Sequence, residues 1–332
     1  MRALVTGASG FIGSNLVDRL LAEGAAVKCL VRRGSNLKWL KNLPVTLVTG
    51  DFHDVASLAP AVADAEVVFH VAGATRARNR AAFFRGNFEA TRNLLLACEQ
   101  YGPPDQKFVF ISSLSAAGPS KGAPLTEEHE PNPVSAYGAS KLAAEKAVLE
   151  FSQKRPVTII RPPAVYGPRD RDTFLLLKSI HRGLHVIPGG PGQQVSLVHV
   201  HDLVTGILLA AASPRSQGRI YFISGEGHHD WRTIGAYAGR VLDKRFRTLH
   251  VPWWLMRLVA LGGSLTSQFT ATPTLMSLDK LKDMRQAQWL CSHARAQAEI
   301  GFQPSLDLLT GLAGAAAWYK AAGWLRPQIK KG

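Results

Sequence analysis

A doubly wound α/β fold is predicted by three observations: short β-rich apolar runs alternate with amphipathic helical stretches over residues 1–115, a glycine-rich turn joins the first run to the first helix, and the alternation resumes over residues 136–160. Strands are expected at 3–6, 27–31, 45–48, 67–71 and 108–112, with helices at 12–23, 55–63 and 82–100 between them. A helix over 136–154 and a strand over 158–160 continue the pattern. Pro156, Pro162, Pro163 and Pro168 then interrupt it. Beyond them, helical stretches at 173–182 and 203–212 mix with Gly- and Pro-rich loops such as 188–192. The expected division is a dinucleotide-binding domain over 1–170, to which strands near 196–201 and 220–224 return, and a smaller mixed α/β substrate lobe over 171–195 and 226–326.

Composition narrows the function. The 332 residues are 46% hydrophobic and 19% charged, enough to bury a sizeable core. No apolar run is long enough to cross a bilayer, and the start of the chain lacks a signal-peptide pattern, so a cytoplasmic location is expected. Cys29, Cys98 and Cys291 fit no disulfide or ligand spacing and read as reduced buried thiols. His199, His201, His228 and His229 lie close in sequence without a completing Cys or carboxylate, so no metal is expected. The net charge of +15 favours an anionic partner, but the cations are scattered, which argues against nucleic acid.

The turn Thr6-Gly7-Ala8-Ser9-Gly10-Phe11-Ile12-Gly13 follows the first strand and opens the first helix, the context of a phosphate loop in a Rossmann-type fold. Glycines let the backbone approach a pyrophosphate, whose charge meets free amides and the positive helix end. Gly7, Ser9, Gly10, Phe11, Ile12 and Gly13 are the expected cofactor contacts. After the second strand an NAD-preferring sheet carries a carboxylate, whereas this chain reads Val31-Arg32-Arg33. Arg32 and Arg33 can meet a 2′-phosphate, so NADP(H) is favoured over NAD.

Tyr137 and Lys141 stand four apart in a helical stretch, on one face. A phenol titrates near 10, and a neighbouring ammonium would favour phenolate and draw it into range for proton exchange with a substrate hydroxyl. The strand ending Ile111-Ser112-Ser113 brings Ser113 to the carboxyl edge of the sheet, where it can hydrogen-bond a substrate oxygen. The pair is a weak signal alone and gains weight from this company.

Together with these residues, Gly50-Asp51, Phe69-His70-Val71-Ala72-Gly73, Asn87 in Gly86-Asn87-Phe88-Glu89-Ala90-Thr91, Arg161-Pro162-Pro163-Ala164-Val165-Tyr166-Gly167-Pro168 and Val198-His199-Val200-His201-Asp202 make the chain resemble the extended short-chain dehydrogenase/reductases. That superfamily includes the NAD-dependent epimerase/dehydratase family, dihydroflavonol reductases and 3β-hydroxysteroid dehydrogenases, and the likeness spans nearly the whole chain. It implies that Asp51 and Phe52 flank the adenine, that Val71, Ala72 and Gly73 line the cofactor channel, and that Pro162 and Val165 lie beside the nicotinamide. It also implies that Ser113, Tyr137, Lys141 and Asn87 form the catalytic set, with Lys141 gripping the nicotinamide ribose.

The dehydratase subgroup carries Asp-Glu after its catalytic hydroxyl residue; here Leu114-Ser115 follow Ser113. The lost acid after the second strand resembles the dihydroflavonol-reductase and atypical-epimerase branches more than the NAD-retaining sugar epimerases. The expectation is hydride transfer between NADP(H) and a secondary alcohol or ketone, with a nucleotide-sugar epimerase as the alternative and a non-catalytic dinucleotide sensor as a second. Arg76, Arg78, Arg80 and Arg85 would suit an anionic or nucleotide-diphosphate substrate, or form a solvated helix start. The run Val251-Pro252-Trp253-Trp254-Leu255-Met256-Arg257-Leu258-Val259 suggests an apolar substrate or a peripheral membrane contact, or ordinary core packing. A homodimer is left open.

Overall fold

Strands whose side chains are apolar on both faces need cover on both faces. The computed structural model, which describes residues 1–189, 192–269 and 277–325, builds such a sheet. Strands β1 (Arg2–Thr6), β2 (Ala26–Val31), β3 (Thr46–Thr49), β4 (Val67–His70), β5 (Lys107–Ile111), β6 (Val157–Arg161) and β7 (Arg219–Phe222) pair in parallel in the order β7-β6-β5-β4-β1-β2-β3. Chain direction across the sheet reverses between β1 and β4, and the crevice at their carboxyl ends is where ligands bind in sheets of this kind.

The two neighbours Leu4 and Val5 show how the sheet is filled, because each belongs to a different core. On the Val5 side lie Leu16, Val17 and Leu20 of helix α1 (Phe11–Ala22) and Leu203, Val204 and Ile207 of the helix Val200–Ala212. On the Leu4 side lie Leu94 and Cys98 of the helix Ala90–Tyr101 and Ala144 and Val148 of the helix Ala136–Phe151. Each fully buried leucine here contributes about 1.5–3 kcal/mol relative to exposure. The three cysteines are free and buried, and burial pushes each thiol up to about 12.

The strand near 196–201 lies outside this sheet, although Val198 packs in the core on the Val5 side. Residues Leu197–His199 pair instead with Ala164–Tyr166 in a separate two-stranded sheet, and the chain turns helical at Val200. Pro162 and Pro163 end β6 without backbone donors, so the strand that follows them leaves the main ladder and takes its own partner. A third core, built on Leu177, Ile180, Ile234, Ala238, Leu312 and Tyr319, holds the helices Arg171–His181, Trp231–Leu242 and Leu308–Ala321 together beside the sheet. Among the described residues no helix is long and apolar enough to cross a membrane.

Candidate active site

Two glycines of the first loop are required by contact. Gly7 has φ +69°, and a Cβ there would lie 2.7 Å from the Ala72 nitrogen; a Cβ on Gly13 would lie 2.3 Å from the Gly7 carbonyl oxygen. The loop therefore presses against the turn after β4 at one end and against itself at the other. Gly10 caps α1 with no side chain, and the first turn of the helix carries no acid. Its amide groups and positive dipole end are thus left for an anion, and the cradle fits a dinucleotide pyrophosphate. Ser9 is half-buried on this turn, while Phe11 and Ile12 pack inward on the core beneath it.

A relay of buried polar side chains holds the floor. The Thr6 hydroxyl accepts the Ala72 N–H at 3.1 Å and pairs with His70 Nδ1 at 2.8 Å; His70 Nε2 pairs with Thr91 at 3.0 Å, and Thr91 donates to the Asn87 carbonyl at 2.6 Å. Burial, helped by the Lys141 charge, pushes His70 down to about 3, so it is a neutral strut.

The remaining cofactor candidates line the carboxyl edge. Arg32 and Arg33 are exposed just beyond β2, where the Ser35 hydroxyl accepts the Arg32 N–H at 3.1 Å. Asp51 follows β3; its N–H donates to Ser57 Oγ at 2.9 Å, and its carboxylate accepts the His53 N–H at 2.9 Å. Phe52 is half-buried, with its ring 5.6 Å from that of His70. Val71 and Ala72 are half-buried and Gly73 is exposed, and a Cβ on Gly73 would lie 3.7 Å from Lys141 Nζ. The Pro162 carbonyl accepts the Leu114 N–H at 2.8 Å, and Val165 packs on the core from the separate strand.

Ser113, two residues beyond β5, caps the short helix Leu114–Ala117, its hydroxyl accepting the Ser115 N–H at 3.1 Å. The helix bearing Tyr137 and Lys141, α2 (Ala136–Phe151), starts at Ser135, whose hydroxyl accepts the Gly138 N–H at 3.0 Å. Tyr137 hydrogen-bonds Ser113. Lys141, 3% exposed, donates to the Ile111 carbonyl at 2.7 Å and lies 4.2 Å from the centre of the Phe110 ring.

The protonation states differ from the expectation of a lysine-lowered phenol. Burial pushes Tyr137 up to about 12; the Ser113 hydrogen bond draws it down and the Asp283 charge pushes it up. Burial also draws Lys141 down to about 7 against the opposing pull of Glu145. Desolvation is the largest effect on both groups, and the Lys141 amine donates to the Ile111 carbonyl.

Asn87, expected in the catalytic set, is fully engaged as a clamp. Its Oδ1 accepts the Ala74 N–H at 2.7 Å, and its Nδ2 donates to the Ala74 carbonyl at 3.1 Å and to Ser140 Oγ at 2.8 Å. It sits in a π-helical turn, Arg85–Glu89, a form often found at functional sites, and ties the cofactor-side loop to the helix of Tyr137. The arginine cluster is only partly open: Arg76 pairs with Asp172 at 3.2 Å, Arg85 donates to His53 at 3.3 Å, Arg80 lies over the Phe84 ring, and Arg78 is exposed.

Sequence reading missed two acidic features. Glu145, 1% exposed, accepts from Arg161 Nε at 2.9 Å and Nη2 at 2.6 Å and also from Ser112, locking α2 to the ends of β5 and β6. The position of Glu145 one turn after Lys141 was the available signal. Asp279, on the helix Leu278–Met284, accepts the Ala136 N–H at 2.8 Å and the Tyr137 N–H at 3.2 Å, capping the Tyr137 helix from the far end of the chain. Asp283, one turn later, is pushed up to about 6 by burial. No local pattern points to either.

Comparison with known proteins shows the family. Residues 3–224 match the model of the NAD dependent epimerase/dehydratase family. A ceramide reductase of Caulobacter vibrioides is 30% identical, over 98% of this chain and 96% of its own length. An N-acetyl-alpha-D-glucosaminyl-diphospho-ditrans,octacis-undecaprenol 4-epimerase of Escherichia coli O157:H7 is 27% identical over 84% of each chain. The structure of MoeE5 in complex with UDP-glucose and NAD superposes with a TM-score of 0.78 at 25% identity, over 97% of this chain and 99% of that one. With the phosphate cradle at the sheet's switch point and the tyrosine–lysine helix beside it, this chain belongs to the NAD dependent epimerase/dehydratase family, as a nicotinamide-dinucleotide enzyme of the extended short-chain dehydrogenase/reductase type.

Proposed function

We propose that the chain is an NADPH-dependent reductase of a ketone borne on an apolar substrate, with Tyr137 as proton donor. The observation that carries this reading is the placement of the half-buried Tyr137 phenol beside Ser113 and on one helix with buried Lys141, where burial pushes the phenol up to about 12 and keeps its proton on. A donor of that kind suits an oxygen that gains negative charge as the carbonyl carbon is reduced. The bound cofactor supplies the hydride to carbon. Tyr137 gives its proton to the oxygen, Ser113 orients that oxygen, and Lys141 provides positive charge to stabilise the phenolate left behind.

Arg32 and Arg33, exposed after β2 where an acid would favour NAD, support NADPH. The likeness to a ceramide reductase supports an apolar substrate. A nucleotide-sugar epimerase is the second reading, favoured by the likeness to MoeE5 bound to UDP-glucose and NAD. Net loss of NADPH absorbance with long-chain or sterol-like ketones is expected; interconversion of a nucleotide sugar without net loss would replace the reductase by the epimerase. Tyr137→Phe should bind NADPH as before and lose roughly 10²–10⁴-fold in turnover. Unchanged turnover in that variant would remove Tyr137 from the chemistry.

A further inference from the structure

The helix Trp253–Phe269 leaves the strand Arg247–Val251 at Pro252 and lies beside the helix that bears Asp279. Its inward stripe, Met256 and Ala260 with Trp253, packs on Val251, Leu281 and Met284. The outward side of such a surface helix is ordinarily polar. Here it carries Trp254 at 65% exposure, Leu258 at 56% and Val259 at 55%, with Leu255 and Leu261 also exposed. The preceding two-stranded sheet adds to the apolar surface: exposed Leu184 stands opposite Arg247, and exposed Val186 opposite exposed Leu249.

Charge indicates what meets these groups. From Lys244 to Leu278 the chain contains no Asp or Glu, while Lys244, Arg245, Arg247 and Arg257 are all exposed. A second copy of the chain docked face to face would set these cations against themselves with no carboxylate from the same segment to neutralise them. An anionic bilayer neutralises them and at the same time takes up the apolar side chains. Trp254 is the kind of side chain that settles at the level of the headgroups.

We infer that the segment 244–262, with the exposed side chains of the strand Leu184–Pro188, is a docking surface for an anionic lipid bilayer, its apolar groups sunk to the boundary between headgroups and acyl chains. The surface is one helix from the chemistry, because Leu281 and Met284 pack beneath it while Asp279 of the same helix caps the Tyr137 helix. Docking so close gives a substrate held in the membrane a short path to the site. The inference does not require the reductase reading, since binding to a surface involves no turnover.

The test is co-sedimentation of the purified full chain with vesicles of phosphatidylcholine alone and of equal parts phosphatidylcholine and phosphatidylglycerol. Binding to the anionic vesicles is expected, with at least about tenfold weaker binding to the neutral ones. The double variant Leu258→Asp/Val259→Asp, checked by circular dichroism and NADPH affinity, should lose at least about tenfold, as expected for apolar side chains kept from burial. Tyr137→Phe should sediment as wild type, which separates failure of docking from failure of the catalytic reading. Absence of vesicle binding by the wild type overturns the inference. So does full binding by the double variant, which would reduce the effect to diffuse charge attraction. A double variant that only converts a dimer to a monomer, while the wild type ignores vesicles, would assign the face to self-association instead.

Discussion

Replacing Lys141 by Met should stabilise the cofactor-free protein while destroying its activity, and the stabilisation should fade as pH rises. Burial draws Lys141 from its ordinary 10.5 down to about 7. At about 1.4 kcal/mol per pH unit, holding the ammonium inside costs about 5 kcal/mol below pH 7, where both folded and unfolded chains carry the proton. Between about 7 and 10.5 the folded chain has released that proton and the unfolded chain still holds it. Wild-type stability therefore gains on the variant throughout this window, and the cost is gone above 10.5.

From pH 6 to pH 9 the advantage of Lys141→Met should shrink by about 3 kcal/mol. Loss of the hydrogen bond to the Ile111 carbonyl affects the variant at every pH and cancels in that difference. Urea unfolding of both proteins at the two pH values, without cofactor, measures it. An advantage that is the same at pH 6 and pH 9 would show that Lys141 keeps an ordinary affinity for its proton, and the account of a desolvated lysine would be wrong.

Two further substitutions probe the cofactor and the capped helix. Arg32→Ala should weaken NADPH roughly tenfold to a hundredfold, the worth of a charge-assisted hydrogen bond, and leave NADH nearly unchanged in a fluorescence titration; equal weakening of both would return the cofactor preference to NAD. Asp279→Ala strips the acceptor from the Ala136 and Tyr137 N–H groups and should cost about 2 kcal/mol of stability. It should also lower kcat while the KM for NADPH holds, since Tyr137 moves and the phosphate loop does not; an unchanged kcat would make Asp279 a structural cap alone.

The parts legible in the sequence were those fixed by local periodicity or by a residue type that only one geometry tolerates. Leu4 and Val5 face opposite cores because a parallel strand buries both faces, and that pattern is local. Gly7 and Gly13 could be read because the backbone comes too close for a Cβ. The strand Leu197–His199 is legible as a strand, but its partner Ala164–Tyr166 is not, since apolar alternation marks a strand and does not name its partner. The three side-chain hydrogen bonds that let Asn87 clamp the Ala74 loop to Ser140 have no signature in the local sequence. Asp279 was invisible because its hydrogen bonds span more than a hundred residues of chain. The apolar run 251–259 was ambiguous for another reason: core packing and membrane docking ask for the same side chains, and only exposure distinguishes Met256 from Leu258.

Burial gives Lys141 its low proton affinity, and a neighbouring carboxylate committed elsewhere opposes it only in part. Glu145 stands four residues on, the spacing at which a glutamate and a lysine ordinarily pair on a helix. Its carboxylate is instead held by both arms of the buried Arg161 guanidinium and by Ser112. A buried pair so well matched does not release its anion, because separating it would leave two unpaired charges in the core. Lys141 is left with a backbone carbonyl and the face of Phe110, contacts that compete weakly for an ammonium. When it carries its proton, Lys141 is therefore a buried cation with only partial counter-charge, beside a phenol that has not yet lost its proton. In the reaction proposed above, transfer of the Tyr137 proton to a substrate oxygen would create a phenolate beside that ammonium, so the electrostatic gain would fall in the step that makes product and not in the resting protein. By engaging the Glu145 carboxylate, Arg161 would leave part of that gain in reserve.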